Sequence, residues 1–134
     1  MRILDTDHCV EILRGNAAVV ERRREVTDLV TTTWVTAGEL YFGAARSGRP
    51  DANRTLVAEF LSTLPVLGPA TGTPEAFGGL KAGLETAGLR LADADLWIAT
   101  AALGEAAVLV TGNERHYARI PDLRTESWIP RSRR

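Results

Sequence analysis

Asp5, Glu39 and Asp95 sit at three points of the chain where a carboxylate needs a reason. Ile3-Leu4-Asp5 puts the first directly after an apolar run. An unpaired charge buried there would be costly, so it must meet solvent, a partner or a cation. Thr36-Ala37-Gly38-Glu39 sets the second acid three residues after a threonine, which is also the spacing of a capping box. Asp93-Ala94-Asp95-Leu96-Trp97-Ile98-Ala99 opens an apolar helix with two acids. Asp93 is the natural cap, and Asp95 lies inside the first turn beside residues that must pack in the core. Capping competes with metal ligation for Asp5 and Glu39 when each is read alone. Together, the three acids suit a hard cation such as magnesium or manganese, which takes oxygen ligands and keeps several waters. No cysteine or histidine spacing suits zinc. A cation so held activates water and steadies charge building on a phosphate, and it removes the repulsion a polyanion would meet at an acidic cluster. The chemistry these residues point to is phosphodiester hydrolysis.

Leu109-Val110-Thr111-Gly112-Asn113 reads as a strand running into a polar turn. Asn113 and His116 fall where a further metal-facing or water-positioning group would sit; His116 reads as a surface or phosphate-contacting residue rather than a direct ligand. His8 reads as structural. No residue is assigned to substrate binding.

The elements that must position these groups alternate. Arg2 to Thr6 reads as a strand, Asp7 to Leu13 as a helix broken at Gly15-Asn16, and Ala17 to Glu25 as a charged helix. Leu29 to Val35, rich in threonine and valine, reads as a buried strand. Thr36 to about Arg46 is helical, as is Asp51 to Thr63, with an apolar face of Leu56, Val57, Phe60, Leu61 and Leu64. Pro65 to Leu67 is a short strand, and Pro74 begins a helix that Gly88 ends. A helix from about Ala92 to Leu103, the strand Ala107 to Thr111, a short helix at Glu114 to Arg119 and a strand near Leu123 to Glu126 follow. This order predicts a three-layer αβα sandwich around a mostly parallel sheet. Ligands of such sheets gather beyond the carboxyl ends of the strands.

With 134 residues and a 45% hydrophobic fraction, one domain is expected, spanning 1–130 and followed by a basic tail at 131–134. No apolar run approaches the roughly 18 residues of a membrane span, and Asp5 interrupts any signal-like start. The one cysteine, Cys9, fits a reducing compartment. A cytoplasmic protein is expected. The net charge of −1 does not announce a nucleic-acid binder, yet all but one of the 16 basic residues are arginine. The cluster Arg22-Arg23-Arg24 reads either as a phosphate guide or as a solvated helix face.

The opening Ile3-Leu4-Asp5-Thr6-Asp7-His8, the segment Thr36 to Gly43 and Asp93 to Ala99 resemble the PIN-domain family, and within it the VapC toxins of bacterial VapBC toxin–antitoxin systems. Leu109 to Asn113, His116-Tyr117 and Ile120 to Leu123 carry the resemblance nearly to the end. It implies an endoribonuclease dependent on Mg²⁺ or Mn²⁺ that arrests growth by cutting cellular RNA. It also implies a homodimer and a cognate VapB antitoxin whose tail covers the acidic groove. By position, Asp5, Glu39 and Asp95 match the family's core acids, Asp5 and Asp95 being metal ligands, and Asp93 matches a nearby, often acidic position. Asp7, Asn113 and His116 are accessory. Asp7 replaces a frequent asparagine, and Asn113 stands where a fourth acid is common, which favours one well-held metal with a second recruited by RNA phosphate.

Two other enzymes compete. A PIN-type nuclease that matures RNA would share the chemistry without being a toxin. Asp5-Thr6-Asp7 also resembles the opening of haloacid dehalogenase-like phosphatases, with Asp5 as nucleophile and Asp7 as general acid; His8 and the single lysine, Lys81, fit that pattern poorly.

Overall fold

Side chains of the central strand β1 (Arg2–Leu4) alternate between two separate cores. Ile3 packs with Leu96, Ile98, Leu109, Tyr117 and Ile120, whereas Leu4 packs with Cys9, Val19, Leu40, Phe60 and Val110. The strand β4 (Val108–Val110) repeats the division, Leu109 entering the first core and Val110 the second. Each of these fully buried aliphatics contributes roughly 1.5–3 kcal/mol. A one-residue slip would exchange the two faces, so register is firmly set. The computed structural model describes residues 1–130, and the expected basic tail at 131–134 lies outside the described residues.

Five parallel strands run in the order β3-β2-β1-β4-β5, with β2 at Val30–Thr33, β3 at Val66–Leu67 and β5 at Arg124–Glu126. Helices α1 (Thr6–Leu13), α2 (Ala17–Glu25), α3 (Trp34–Ala45) and α4 (Pro50–Leu61) supply the core around Leu4. Helices α5 (Thr73–Thr86), α6 (Asp93–Gly104) and α7 (Glu114–Tyr117) supply the core around Ile3. This is the expected αβα arrangement, with a sheet that is parallel throughout. The chain builds β2 and β3 on one side of β1, then β4 and β5 on the other. The carboxyl ends of β1 and β4 therefore flank the switch point where open sheets of this kind collect ligands.

The threonine-rich strand is buried as its composition suggested, and its hydroxyls are satisfied locally. Thr31 donates to the Arg2 carbonyl at 3.2 Å and Thr32 to the Leu4 carbonyl at 2.9 Å. Thr33 ends the strand two residues earlier than expected because its Oγ1 accepts the Thr36 N–H at 3.2 Å and caps α3. The capping box anticipated at Thr36 and Glu39 is therefore not formed: the cap is Thr33, and Glu39 lies deeper in the helix. Asp93 is likewise not a cap, since it is the first residue of α6 behind Ala92. On α4 the apolar face is narrower than anticipated, because Leu56 is 52% exposed while Val57 and Phe60 are buried.

Arg22, Arg23 and Arg24 are engaged along α2. Arg22 faces Glu25 and Glu126, Arg24 faces Glu21, and Arg23 donates to Thr63. That cluster is a structural face of the helix. Among the described residues, no helix is long and apolar enough to cross a membrane.

Candidate active site

Asp5 emerges from the carboxyl end of β1 as the cap of α1, and only 5% of its surface is exposed. One oxygen accepts the Thr6 N–H at 2.7 Å and the other accepts the Thr111 hydroxyl at 2.8 Å. Capping and a place in the site are thus the same geometry. Burial lifts its pKa from 3.8 to about 6; the two hydrogen bonds oppose that rise, and the neighbouring charges of Asp7 and Asp95 add to it. No lysine or arginine pairs with this carboxylate among the described residues.

Asp95, in the first turn of α6, is about one-third exposed and meets His116 Nε2 at 3.2 Å. Tyr117, the last residue of α7, is buried, and its hydroxyl has no hydrogen-bond partner among the described residues. Burial, followed by the carboxylates of Asp5 and Asp95, drives its pKa strongly upward. Asp95 is near enough to act on that phenol without the alignment of a full hydrogen bond.

Glu39 reaches this centre indirectly. Thr6 links the two acids, its N–H bonding Asp5 and its hydroxyl donating to Glu39 Oε1 at 2.7 Å. The Thr36 hydroxyl lies 3.1 Å from that of Thr6. Among the described residues no three His, Cys, Asp or Glu side chains form a ready metal cage. The expected convergence of three acids is therefore looser than the sequence implied: Asp5 and Asp95 face each other electrostatically, and Glu39 flanks them across Thr6.

Asp93 turns to Lys81 at 2.9 Å and is largely exposed. Asp7 has both oxygens engaged, Oδ1 by His8 Nδ1 at 3.0 Å and Oδ2 by the Gly112 N–H at 2.8 Å. Burial works to raise its pKa, but the His8 contact and the Gly112 amide outweigh this and lower it. A carboxylate so held is a poor general acid, which removes the basis of the phosphatase reading. His8 is structural as expected: it is fully buried, and its Nε2 accepts the Trp128 N–H at 2.9 Å. That acceptance leaves Nδ1 to carry the proton toward Asp7. Asn113 stands at the start of α7, with its N–H donating to Thr111 Oγ1 at 3.0 Å.

Three participants had no role in the sequence reading: Thr6, Thr111 and Tyr117. Thr111 was legible in principle as a hydroxyl at the carboxyl end of an apolar strand. Tyr117 carried no signal, because a tyrosine in an amphipathic turn looks like core.

The donor set fits a hard divalent cation. The groups are oxygen ligands, the buried Asp5 lacks a cationic partner among the described residues, and the Tyr117 hydroxyl, unpartnered among them, marks a place where an ordered water would be held. Magnesium is commonly bound by one or two carboxylates and several waters, so Asp5 and Asp95 suffice.

Comparison with known proteins bears on the family and the fold. Residues 2–123 match the PIN domain family. Over 95% of its length the chain is 31% identical to ribonuclease VapC2 of Haemophilus influenzae, covering 97% of that protein. It is 32% identical to the tRNA(fMet)-specific endonuclease VapC of Salmonella typhimurium, covering 94% of this chain and 96% of the relative. Among solved structures, the chain resembles DNA-bound VapBC from Salmonella typhimurium, with a TM-score of 0.89, 32% identity, and coverage of 96% of this chain and 98% of the other. It also resembles VapBC2 of Rickettsia felis bound to a promoter DNA fragment, with a TM-score of 0.90, 27% identity and the same coverage.

Proposed function

The chain belongs to the PIN-domain family, and on that premise we propose that it is a VapC-type endoribonuclease, the toxin half of a VapBC toxin–antitoxin pair. The observation that carries the catalytic assignment is the buried Asp5 under the influence of Asp95, with no lysine or arginine partner among the described residues, together with a Tyr117 phenol that has no hydrogen-bond partner among them. Asp5 and Asp95 would hold Mg²⁺ or Mn²⁺, whose chemistry when bound would be water activation and charge stabilisation at the phosphate. Glu39, held by Thr6, orients water or takes up a proton at the edge of the site. His116 fixes the Asp95 carboxylate, Asn113 and Tyr117 position solvent, and Asp93 adds negative charge at the periphery. Asp7 is a structural tie that keeps α1 against the Thr111–Asn113 turn.

The substrate class is cellular RNA. Initiator tRNA is the first to test, because the Salmonella relative carries that specificity in its name. The cognate partner is a VapB-type antitoxin. A cleft of about 420 Å³ between α1, α3 and α4, lined by Val10, Leu13, Leu40, Leu56 and Val57, ends at Thr6 and Glu39. An amphipathic antitoxin segment lying in it would cover the acids. The toxin's own assembly is a homodimer, for which the exposed Trp34 and Phe42 supply apolar surface.

The test is cleavage of total RNA and initiator tRNA in Mg²⁺, in Mn²⁺ and in EDTA, beside Asp95→Asn. Discrete cutting that needs metal and disappears in the variant supports the reading. Cutting that survives EDTA, or an Asp95→Asn protein as active as the parent, overturns the metal assignment.

A further inference from the structure

The arginine cluster visible in the sequence is occupied, but a second set, scattered in sequence, is not. Arg90 precedes α6, and Arg115 and Arg119 belong to α7 and its exit. None of the three has an ion pair or side-chain hydrogen bond among the described residues. All three are exposed and line one cleft of about 710 Å³ between the α5–α6 connection and α7. Leu84, Leu89 and Leu91 contribute apolar wall to the same cleft. Three guanidinium groups around one space repel each other, and the repulsion is relieved by an anion.

The cleft is continuous with the acidic centre. His116 lines it and touches Asp95 Oδ2 at 3.2 Å. Gly112 and Asn113 line it as well, and Gly112 is the residue that binds Asp7. Its volume falls within the range of small-molecule sites, ample for a nucleotide. Arginine offers a forked contact to phosphate and a flat face for a base, and apolar side chains accept the sugar or base edge.

We propose that this cleft is a nucleotide subsite for the RNA strand beside the cleaved bond, with Arg90, Arg115 and Arg119 on phosphate and Leu84, Leu89 and Leu91 against the base or ribose. The inference rests on the ribonuclease reading and assigns a binding role to residues outside the carboxylate centre. The carboxylates repel the polyanion, and the adjoining arginines counter that repulsion and fix the approach of the strand.

The test is fluorescence anisotropy of a labelled oligouridylate with the full chain in EDTA, across a salt series. Replacing all three arginines by glutamine is expected to weaken binding at least tenfold and to lower the salt slope by about two, near 0.7 for each lost phosphate contact. Arg46→Gln with Arg49→Gln removes the other arginines that lack ion pairs and side-chain hydrogen bonds among the described residues, and should change neither quantity. A triple lysine variant, with charge retained, should recover most of the slope, which separates lost phosphate contact from misfolding. If the triple glutamine variant binds as the parent does, or the Arg46/Arg49 control loses as much, the subsite is overturned even where the parent cleaves RNA. Equal competition by poly-glutamate, with the same arginine dependence, would make the cleft a peptide site and also overturn it. Failure of metal-dependent cleavage in the preceding assay would instead strike the ribonuclease reading.

Discussion

Asp7 Oδ2 accepts the Gly112 N–H at 2.8 Å across 105 residues of chain, and a Cβ on Gly112 would stand 2.6 Å from that same oxygen. A side chain there would have to displace the Asp7 carboxylate, so glycine is favoured by the neighbour rather than by its own backbone angles. The bond ties the start of α1 to the turn that carries Thr111 and Asn113, and so sets the spacing of the site.

Gly112→Ala is expected to destabilise the protein by about 1–3 kcal/mol through loss of that bond and displacement of Asp7. Asp7→Ala should cost a similar amount, and the double variant much less than the sum, because both changes cut one contact. Urea titration of the four proteins measures the coupling; strict additivity would show that the bond carries no stability.

Asp5 gives stability a defined pH dependence. Burial raises its folded-state pKa from 3.8 to about 6, so between those values the native chain holds a proton that the unfolded chain has shed. Stability attributable to Asp5 therefore falls as pH rises from about 4 to about 6, by roughly 3 kcal/mol, and stays low above that range. Asp7, held below 3.8, acts in the opposite sense and only in more acidic solution. In EDTA, Asp5→Asn should gain in Tm over the parent as pH rises toward 6, with a constant gap beyond. A gap independent of pH would mean that the carboxylate is not strained by burial.

Tyr117→Phe separates a solvent-holding role from a packing one. Removing a buried hydroxyl that has no partner among the described residues should leave the metal-free protein equally stable or about 1 kcal/mol more stable. The same change should weaken Mn²⁺ binding, read by calorimetry, and lower cleavage. Unchanged metal affinity would reduce the phenol to core filling.

Asp93→Asn removes only an exposed, solvent-screened ion pair with Lys81. Cleavage is expected to fall less than tenfold, against a loss of at least a hundredfold for Asp95→Asn. Equal losses would place Asp93 among the groups that act directly on the reacting phosphate.

The layered fold was legible because β1 and β4 are short apolar runs whose neighbours alternate cleanly with helical segments. Asp5 and Asp95 were legible for a related reason: a charge at the end of an apolar strand, or inside the first turn of an apolar helix, stands out from its surroundings. What could not be read was contact across long separations. Thr33 rather than Thr36 caps α3 because one hydroxyl happens to meet one amide, and both residues are threonine. The occupation of Arg22 to Arg24 depends on acids as distant as Glu126. The gathering of Arg90, Arg115 and Arg119 depends on how α7 folds back toward the α5–α6 connection, and no local pattern records that.

The Thr111 hydroxyl on Asp5 and the Trp128 amide on His8 join the first residues of the chain to some of its last. During synthesis a ribosome exposes Asp5 first and delivers Thr111 only 106 residues later, so a chain made only part of that way has one half of the centre and nothing to close it. Nascent fragments ending before Thr111 are thus expected to be inert toward RNA, as a cleavage assay on stalled ribosome complexes would show. A translating cell would then meet the active toxin only after Thr111 has emerged, which leaves an interval for an antitoxin made beforehand to be waiting.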